Sequence, residues 1–143
     1  MKYLALDIGD VRIGVARSDI MGIIASPLEV IDRKKVKAIY RIKDICREEN
    51  SYMIVVGIPK SLDGTEKVQA EKTRDFMKKL KDKIPEIQYI EVDERYTTVA
   101  AHDMLTKMSR KNQKEQRKVV DKVAATIILQ RFLDKQSINL RNS

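Results

Sequence analysis

The fold is decided by the stretch Tyr3-Leu4-Ala5-Leu6-Asp7-Ile8-Gly9, in which an aspartate ends the first apolar run of the chain. A run of this kind is typical of a buried β-strand, where a charged side chain has no packing role. Because an unpaired buried charge costs several kcal/mol or more, Asp7 must be paired or bind a metal. Gly9 lets the backbone turn or approach a ligand closely. Asp7 is therefore the first candidate functional residue.

The composition is that of one globular domain. The chain has 143 residues, of which 43% are hydrophobic, enough for a single core. It contains no apolar run of about 18 residues that could span a membrane, and the apolar run at residues 3–8 is too short for a signal peptide and contains a charge. The single Cys46 excludes an internal disulfide and fits a reducing compartment. We expect a cytoplasmic protein with no membrane partner.

The charge balance favours a polyanionic partner. There are 29 lysines and arginines against 21 aspartates and glutamates, which gives a formal net charge of +8. Nucleic acid is the commonest partner of such a surface. A well-solvated, lysine-rich surface explains the same charge, so the charge alone favours nucleic acid only modestly.

Hydrophobic periodicity predicts five strands and four helices. The strands are predicted at 2–8, 12–18, 23–31, 52–58 and 88–93, and the helices at 34–49, 66–81, 97–108 and about 119–134. The first three strands are joined by turns short enough for antiparallel hairpins. Strands separated by helices should pair in parallel through right-handed crossovers. The predicted fold class is α/β, with a mixed five-stranded sheet and helices on both faces.

Two segments are predicted to lack regular structure. Residues 109–118 contain no apolar residue and five basic ones, which indicates a mobile basic loop. Residues 136–143 are expected to form a frayed tail. No repeat or linker divides the chain, so residues 1–143 are interpreted as one domain.

Acidic residues should converge at one edge of this sheet. Ligands of open α/β sheets bind outside the carboxyl ends of the parallel strands, and the first and fifth predicted strands end in Asp7 and in the pair Asp93-Glu94. At helical spacing, Asp121 shares a face with Ala124 and Ala125 that should dock on the sheet. The simpler alternative is that Asp121 only favours the helix dipole in the first turn.

Asp7, Glu94 and Asp121 would then form a cluster of oxygen ligands only. Converging carboxylates with no His or Cys partner select hard cations such as Mg²⁺ or Mn²⁺. Two such ions about 3.5–4 Å apart are a known solution for phosphodiester hydrolysis, in which one activates water and the other steadies the leaving oxygen. The residues therefore predict a metal-dependent nuclease whose positive charge holds the phosphates.

The chain resembles the YqgF family, also called RuvX, a family of pre-16S rRNA nucleases and Holliday-junction-resolvase-like proteins within the RNase H-like superfamily. Four motifs carry the resemblance and follow in the family's order over nearly the full length. They are Leu6-Asp7-Ile8-Gly9 with residues 12–19, Val56-Gly57-Ile58-Pro59 with residues 63–64 and 69–70, residues 93–98, and residues 121–125 with 128–130. Together these motifs are highly specific.

The resemblance implies an RNase H-like fold and metal-dependent cleavage, with Asp7, Glu94 and Asp121 in the family's acidic positions. It also implies a role in maturing the 5′ end of the precursor of 16S rRNA, or in resolving branched DNA such as Holliday junctions. One departure concerns the fourth strand, which has none of the acids that superfamily enzymes usually carry there. Glu94 on the fifth strand must substitute for it.

Basic and polar residues around the acids are candidates for binding nucleic acid. Each group also has a simpler explanation. The arginines could pair with carboxylates such as Asp19 and Asp93, the residues after the fourth strand could belong to an exposed turn, and the basic residues before the last helix could form a solvated connector. The candidates are Arg12, Arg17, Lys60, Ser61, Arg95, Arg110, Lys111, Lys114, Arg117 and Lys118.

Two other function classes stay open beside the nuclease. Asp7-Ile8-Gly9 before a hairpin resembles the phosphate loop of actin-like phosphotransferases, but those enzymes close two domains over a nucleotide and this chain supplies one. A non-catalytic RNA-binding ribosome-assembly factor could keep the fold without the reaction. For the nuclease we expect structured RNA or branched DNA as partner, Mg²⁺ or Mn²⁺ as cofactor, and a monomer or weak homodimer.

Overall fold

The computed structural model describes residues 1–59, 67–93 and 113–141, with side chains for 1–59, 68–93 and 122–138. None of the helices in this part of the chain is long and apolar enough to cross a membrane. The elements, numbered in chain order, are β1 (Leu4–Ile8), β2 (Arg12–Ser18), β3 (Ala25–Asp32), α1 (Ala38–Glu49), β4 (Met53–Ile58), α2 (Lys67–Lys83), β5 (Gln88–Asp93) and α3 (Gln113–Arg141).

The five strands form one mixed sheet in the order β3-β2-β1-β4-β5. β1 pairs with β2 and β2 with β3 in antiparallel fashion, whereas β1 pairs with β4 and β4 with β5 in parallel. The predicted α/β fold, with three antiparallel strands followed by parallel ones, is confirmed. All five predicted strands are found, with ends that differ from the prediction by two residues at most.

The apolar residues of β1 alternate between two cores, one on each face of the sheet. Leu6 and Ile8 belong to the core that α1 and α2 cover, whereas Tyr3 and Ala5 belong to the core that α3 covers. Since side chains alternate along a strand, Asp7 follows Ala5 on the face of α3. The prediction of helices on both faces is confirmed, and it places Asp7 on the side of the last helix.

Helix α1 begins later than its periodicity predicts. The amides of Lys35 and Val36 both bond to the carbonyl of Asp32, which makes residues 33–37 a turn instead of the first helical turn. The helix ends at Asn50, whose φ of 50° is left-handed, a conformation that asparagine tolerates better than most residues. The helix therefore spans twelve residues, from 38 to 49.

The prediction for the last helix is wrong at both ends. Residues 113–118, predicted as part of a mobile loop, form the first turns of α3, and residues 136–141, predicted as a frayed tail, are helical. Residues 113–118 are strong helix formers without Gly or Pro, so a lack of apolar residues does not stop the helix. Near the other end, the hydroxyl of Tyr3 donates to Oε1 of Gln136 at 3.2 Å. The predicted helix at 97–108 lies outside the described residues.

Candidate active site at the carboxyl edge of the sheet

Asp7 is positioned by the tight turn between β1 and β2. The amide of Gly9 donates to the carbonyl oxygen of Arg12 at 2.9 Å, and a Cβ atom on Gly9 would lie 2.7 Å from that oxygen. A side chain therefore does not fit at Gly9 unless the backbone moves. The turn fixes Asp7 opposite Gly14 in β2, where the carboxylate is half-buried.

The parallel strands bring the ends of β1, β4 and β5 to one edge of the sheet. Leu6 is level with Val56 in β4, and Ile58 is level with Asp93 in β5. Asp7 and Asp93 therefore lie at the same edge, as predicted. They do not share a face, because Val92 packs in the core on the α3 side and Asp93 follows on the other. Glu94 lies outside the described residues.

Helix α3 packs on the face of β1 that carries Asp7. At the start of β1, the ring of Tyr3 meets Phe132 edge-on, with ring centroids 5.3 Å apart. From Tyr3 to Asp7 the strand advances about 13 Å at about 3.3 Å per residue. From Phe132 back to Asp121 the helix advances about 17 Å at about 1.5 Å per residue. The two lengths are similar, so position 121 is expected near the level of Asp7 where the helix follows the strand.

The helix register sets the face on which position 121 lies. The inner face of α3 carries Ala124, Ala125 and Ile128, whose side chains are buried at 1%, 0% and 2% exposure. Residue 121 precedes them by three, four and seven positions, which is the spacing of one helix face. Residue 121 therefore lies on the face of α3 that packs on the sheet, and its closeness to Asp7 stays a prediction. The side chain of Asp121 lies outside the described part.

The carboxylate of Asp7 is of the right type for a hard divalent cation. Its oxygen donors, at a strand end that α3 faces, suit Mg²⁺ or Mn²⁺ better than a softer metal. The side chains that the structure describes include no group of three or more metal-ligating residues. Two of the three predicted ligands, Glu94 and the side chain of Asp121, lie outside that part, so the predicted ligand set stays a prediction.

The arginines of β2 do not share one environment. Arg12 begins β2 at the edge of Asp7, as expected. Arg17 is level with Leu4 at the other end of β1, and its Nη1 donates to Oε1 of Glu49 at 2.7 Å. The expectation that Arg17 lies near the acids is wrong, because β2 runs antiparallel to β1 and carries each later residue farther from Asp7.

Asp19 has a structural role in the loop between β2 and β3. Its Oδ1 accepts hydrogen bonds from the amides of Ile23 at 2.7 Å and Ile24 at 3.0 Å. The hydrogen bonds from Ile24 and then Ile23 hold the pKa of the Asp19 carboxyl below its ordinary value. Asp19 therefore serves the loop and does not pair with the arginine that precedes it in β2.

Most other predicted nucleic-acid contacts remain predictions. Lys60, Ser61, Arg95, Arg110 and Lys111 lie outside the described residues. Lys114, Arg117 and Lys118 belong to the first turns of α3, but their side chains are outside the described part. These three residues are therefore helical, whereas the sequence predicts a loop.

Arg33 lies beside the turn that positions Asp7, although it is not among the residues predicted from the sequence. Its Nη1 donates to the carbonyl of Gly9 at 2.8 Å, and its guanidinium lies 4.9 Å from the ring centroid of Phe76. A signal was present in the sequence, since residues 33–37 contain four cations just after a predicted strand. Its proximity to Gly9 was not visible, because the two residues are 24 positions apart.

Comparison with known proteins agrees with the fold and with the motifs. The family model described as "RuvX: Holliday junction resolvase" matches residues 1–135. A protein of Fusobacterium nucleatum subsp. nucleatum, named "Putative pre-16S rRNA nuclease", is 63% identical over 133 residues, which cover 93% of this chain and 96% of that protein. A relative of the same name from Acetivibrio thermocellus is 41% identical over 138 residues, covering 95% and 97%.

Solved structures of low sequence identity share the fold. RuvC of T. thermophilus, in complex with Holliday junction substrate, superposes with a TM-score of 0.56 at 11% identity, covering 95% of this chain and 96% of that one. The fowlpox virus Holliday junction resolvase gives a TM-score of 0.53 at 13% identity, covering 94% and 99%. The predicted RNase H-like fold is thereby confirmed. With a family model that matches nearly the whole chain and relatives of this identity, the chain belongs to the RuvX (YqgF) family.

Proposed function

We propose that this protein is a metal-dependent endonuclease that hydrolyses phosphodiester bonds in the precursor of 16S rRNA, at its 5′ end. Membership of the RuvX family and the names of the relatives support nuclease activity. The observation that carries the proposal is the position of Asp7 at the carboxyl edge of the parallel strands, on the face that α3 covers. We place position 121 of α3 at the same end of that face.

The proposed catalytic residues are Asp7, Glu94 and Asp121. Within the pair Asp93-Glu94 we choose Glu94 because of the strand alternation. Val92 packs on the α3 side, and a residue two positions later in a continued strand would share that side with Asp7. Asp93 belongs to the opposite face and is not expected to take part.

Three carboxylates on one face would repel one another unless a cation lies between them. We propose that Asp7, Glu94 and Asp121 hold Mg²⁺ or Mn²⁺, which when bound would activate the attacking water and stabilise the leaving oxygen. Asp7 contributes a fixed position, since β1 pairs with β2 on one side and with β4 on the other. Because the backbone of Asp7 is fixed by the strands on both sides, its carboxylate loses little conformational freedom when it binds the ion.

The remaining cations of this edge are proposed to hold the phosphates of the substrate. Arg12 begins β2 there, whereas Arg17 is removed from the set because it pairs with Glu49 at the other end of the strand. The residues kept in the set are Arg12, Lys60, Ser61, Arg95, Arg110, Lys111, Lys114, Arg117 and Lys118.

Resolution of branched DNA is the second candidate function. It is favoured by the description of the family model that matches the chain, "Holliday junction resolvase". The chemistry at the acids would be the same for both substrates. RNA stays the first choice, because relatives at 63% and 41% identity carry the name "Putative pre-16S rRNA nuclease".

The proposal is tested by cleavage with the native protein and two aspartate variants. Protein stripped of metal by EDTA is mixed with RNA that spans the 5′ end of 16S rRNA, or with a four-way DNA junction, and Mg²⁺ or Mn²⁺ is then added. We expect cleavage by the native protein only after metal is added, and loss of cleavage in Asp7→Asn.

Asp10→Asn provides the matched control for the same chemical change. Asp10 lies three residues away in the turn, where its carboxylate is exposed and 3.6 Å from Lys72. We expect this variant to cleave like the native protein. Undiminished cleavage by folded Asp7→Asn would contradict the proposed mechanism, and RNA binding without cleavage by the native protein would favour the assembly factor.

A further inference from the structure

A basic groove of about 460 Å³ lies beside the candidate active site, between the segment that precedes α1 and the middle of α2. Half of the residues that line it are cations, and no aspartate or glutamate is among them. The five cations, which with Tyr40 define the basic groove, are Arg33, Lys34, Lys35, Lys37 and Lys79.

Among the residues that the structure describes, no ion pair offsets the positive charge of the basic groove. None of its five cations forms a salt bridge there, whereas Arg41 in α1 pairs with Glu29 and Glu48. Lys72, about two turns before Lys79 in α2, lies 3.6 Å from Asp10. Uncompensated charge concentrated in a concave surface attracts a polyanion more strongly than the same charge on a flat surface.

An exposed aromatic side chain accompanies the cations. Tyr40 is 55% exposed although it lies in a helix with an otherwise regular buried face. The Nζ of Lys37 lies 5.8 Å from the centroid of its ring. A cationic groove that also presents an aromatic face is the arrangement on which single-stranded nucleic acids bind, because phosphates meet the cations and bases stack on the ring. A lipid headgroup would use the cations but not the ring face.

One residue of the basic groove, Arg33, contacts the turn that follows Asp7. Arg33, which lines the groove, donates to the carbonyl of Gly9 at 2.8 Å. Gly9 follows Asp7 by two residues, so their Cα atoms are at most about 7 Å apart. Gly9 itself adds no side chain at this turn. A strand with its scissile phosphate at Asp7 would cross the sheet edge near Gly9 to reach the groove.

We propose that the basic groove binds the single-stranded polynucleotide that flanks the scissile phosphate. The inference rests on the proposed nuclease function, since it assumes that the phosphate to be cut lies at Asp7. It adds a substrate class, because a groove that uses Tyr40 for stacking prefers an unpaired strand to a duplex. The strand would be anchored near the active site by Arg33 and farther away by Lys35 and Lys79.

The test measures binding without cleavage. Fluorescein-labelled oligouridine is titrated with the full chain in EDTA at several salt concentrations, and anisotropy is recorded. The groove variant is Lys35→Gln/Lys79→Gln. The control variant is Lys43→Gln/Lys83→Gln, which removes the same charge from exposed positions of α1 and α2 outside the groove. Circular dichroism shows whether each variant is folded.

We expect the groove variant to lower the slope of log affinity against log salt by about 1.4, since each phosphate neutralised on a single strand contributes about 0.7. The control variant should leave that slope unchanged. Tyr40→Ala should weaken oligouridine binding by roughly five-fold or more, because stacking of one base is lost. The same variant should bind a duplex RNA of equal length almost as well as the native protein.

Other outcomes separate this inference from the proposed function. If the groove and control variants bind oligouridine alike while the native protein cleaves RNA with Mg²⁺, the groove is not the path of the strand and the nuclease stands. If binding depends on the groove but no metal restores cleavage, the groove stands and the nuclease fails. Binding to phosphatidylserine vesicles in place of oligouridine would overturn the inference.

Discussion

The side chain of Gln130 is expected to stabilise the packing of α3 on the sheet, so replacing it should lower the free energy of unfolding. Its Oε1 accepts a hydrogen bond from the amide of Ala25 at 2.8 Å, and its Nε2 donates to the carbonyl of Ile23 at 3.0 Å. The side-chain amide thus joins the helix to the start of β3 through both of its polar atoms. α3 also carries Asp121, nine residues earlier.

The magnitude follows from the burial of the two bonds. The bond to Ala25 is partly buried, so Gln130→Ala loses a net contribution of about 0.5–1.5 kcal/mol and leaves an amide poorly satisfied. The bond to Ile23 is exposed, and water can replace it. Alanine returns a few tenths of a kcal/mol through its higher helix propensity. We expect the free energy of unfolding to fall by about 1–2 kcal/mol.

Urea unfolding followed by circular dichroism measures this change. The midpoint should fall and the slope m should stay constant, because the folded state remains equally compact. Gln130→Glu is the comparison variant. Its carboxylate still accepts from Ala25 but faces the carbonyl of Ile23 and the carboxylate of Asp134, which both accept from Nε2 at 3.0 Å in the native protein, so it is not expected to restore the native stability. If Gln130→Ala lowers the free energy of unfolding by less than about 0.5 kcal/mol, within the range of ordinary surface substitutions, the hydrogen bonds of Gln130 do not stabilise the packing of α3 as proposed.

Two further predictions concern the turn at Gly9 and the ion pairs of Glu49. Gly9→Ala should lower the free energy of unfolding by about 1–3 kcal/mol, because its Cβ would lie 2.7 Å from the carbonyl oxygen of Arg12 and the backbone must shift. Urea unfolding measures this loss, with Asp10→Ala as the control variant. An unchanged unfolding midpoint for Gly9→Ala would contradict the prediction. Burial of Glu49 opposes its ionisation, but the hydrogen bonds from Lys2 and Arg17 outweigh it and hold the pKa of the carboxyl below its ordinary value. A lowered folded pKa stabilises the protein above the unfolded pKa of about 4.3. The difference in unfolding free energy between native protein and Glu49→Gln should therefore be full at neutral pH, begin to fall near that value and be lost as the pH falls through the lower folded pKa. A difference that persists in strong acid would contradict the assignment.

The sequence predicts the sheet well because its signals are local. The apolar run before Asp7, the short turns and the β-branched run of β4 each specify an element without reference to the rest of the chain. The helix boundaries depend on less visible causes. α3 continues through residues 113–118, where helix propensity replaces apolar periodicity, and toward its other end Gln136 contacts Tyr3, 133 positions away.

The candidate site was only partly predictable for the same reason. Asp7 and its edge follow from the parallel strands, and the backbone position of residue 121 agrees with the predicted face. Arg17 was assigned to the wrong end, because closeness in sequence to Arg12 is not closeness in space along an extended strand. Arg33 reaches Gly9 from 24 positions away, and no pattern in a single sequence reveals such a contact.

A crystal structure of the full chain with Mn²⁺ would show whether the three acids bind a metal, because anomalous scattering locates the ion independently of the protein atoms. We expect an anomalous peak bonded to a carboxylate oxygen of Asp7 and to oxygens of Glu94 and Asp121. Crystals of Asp7→Asn grown with Mn²⁺ should lack this peak. Side chains that point to different sides of the sheet, with no ion between them, would contradict the proposed metal site.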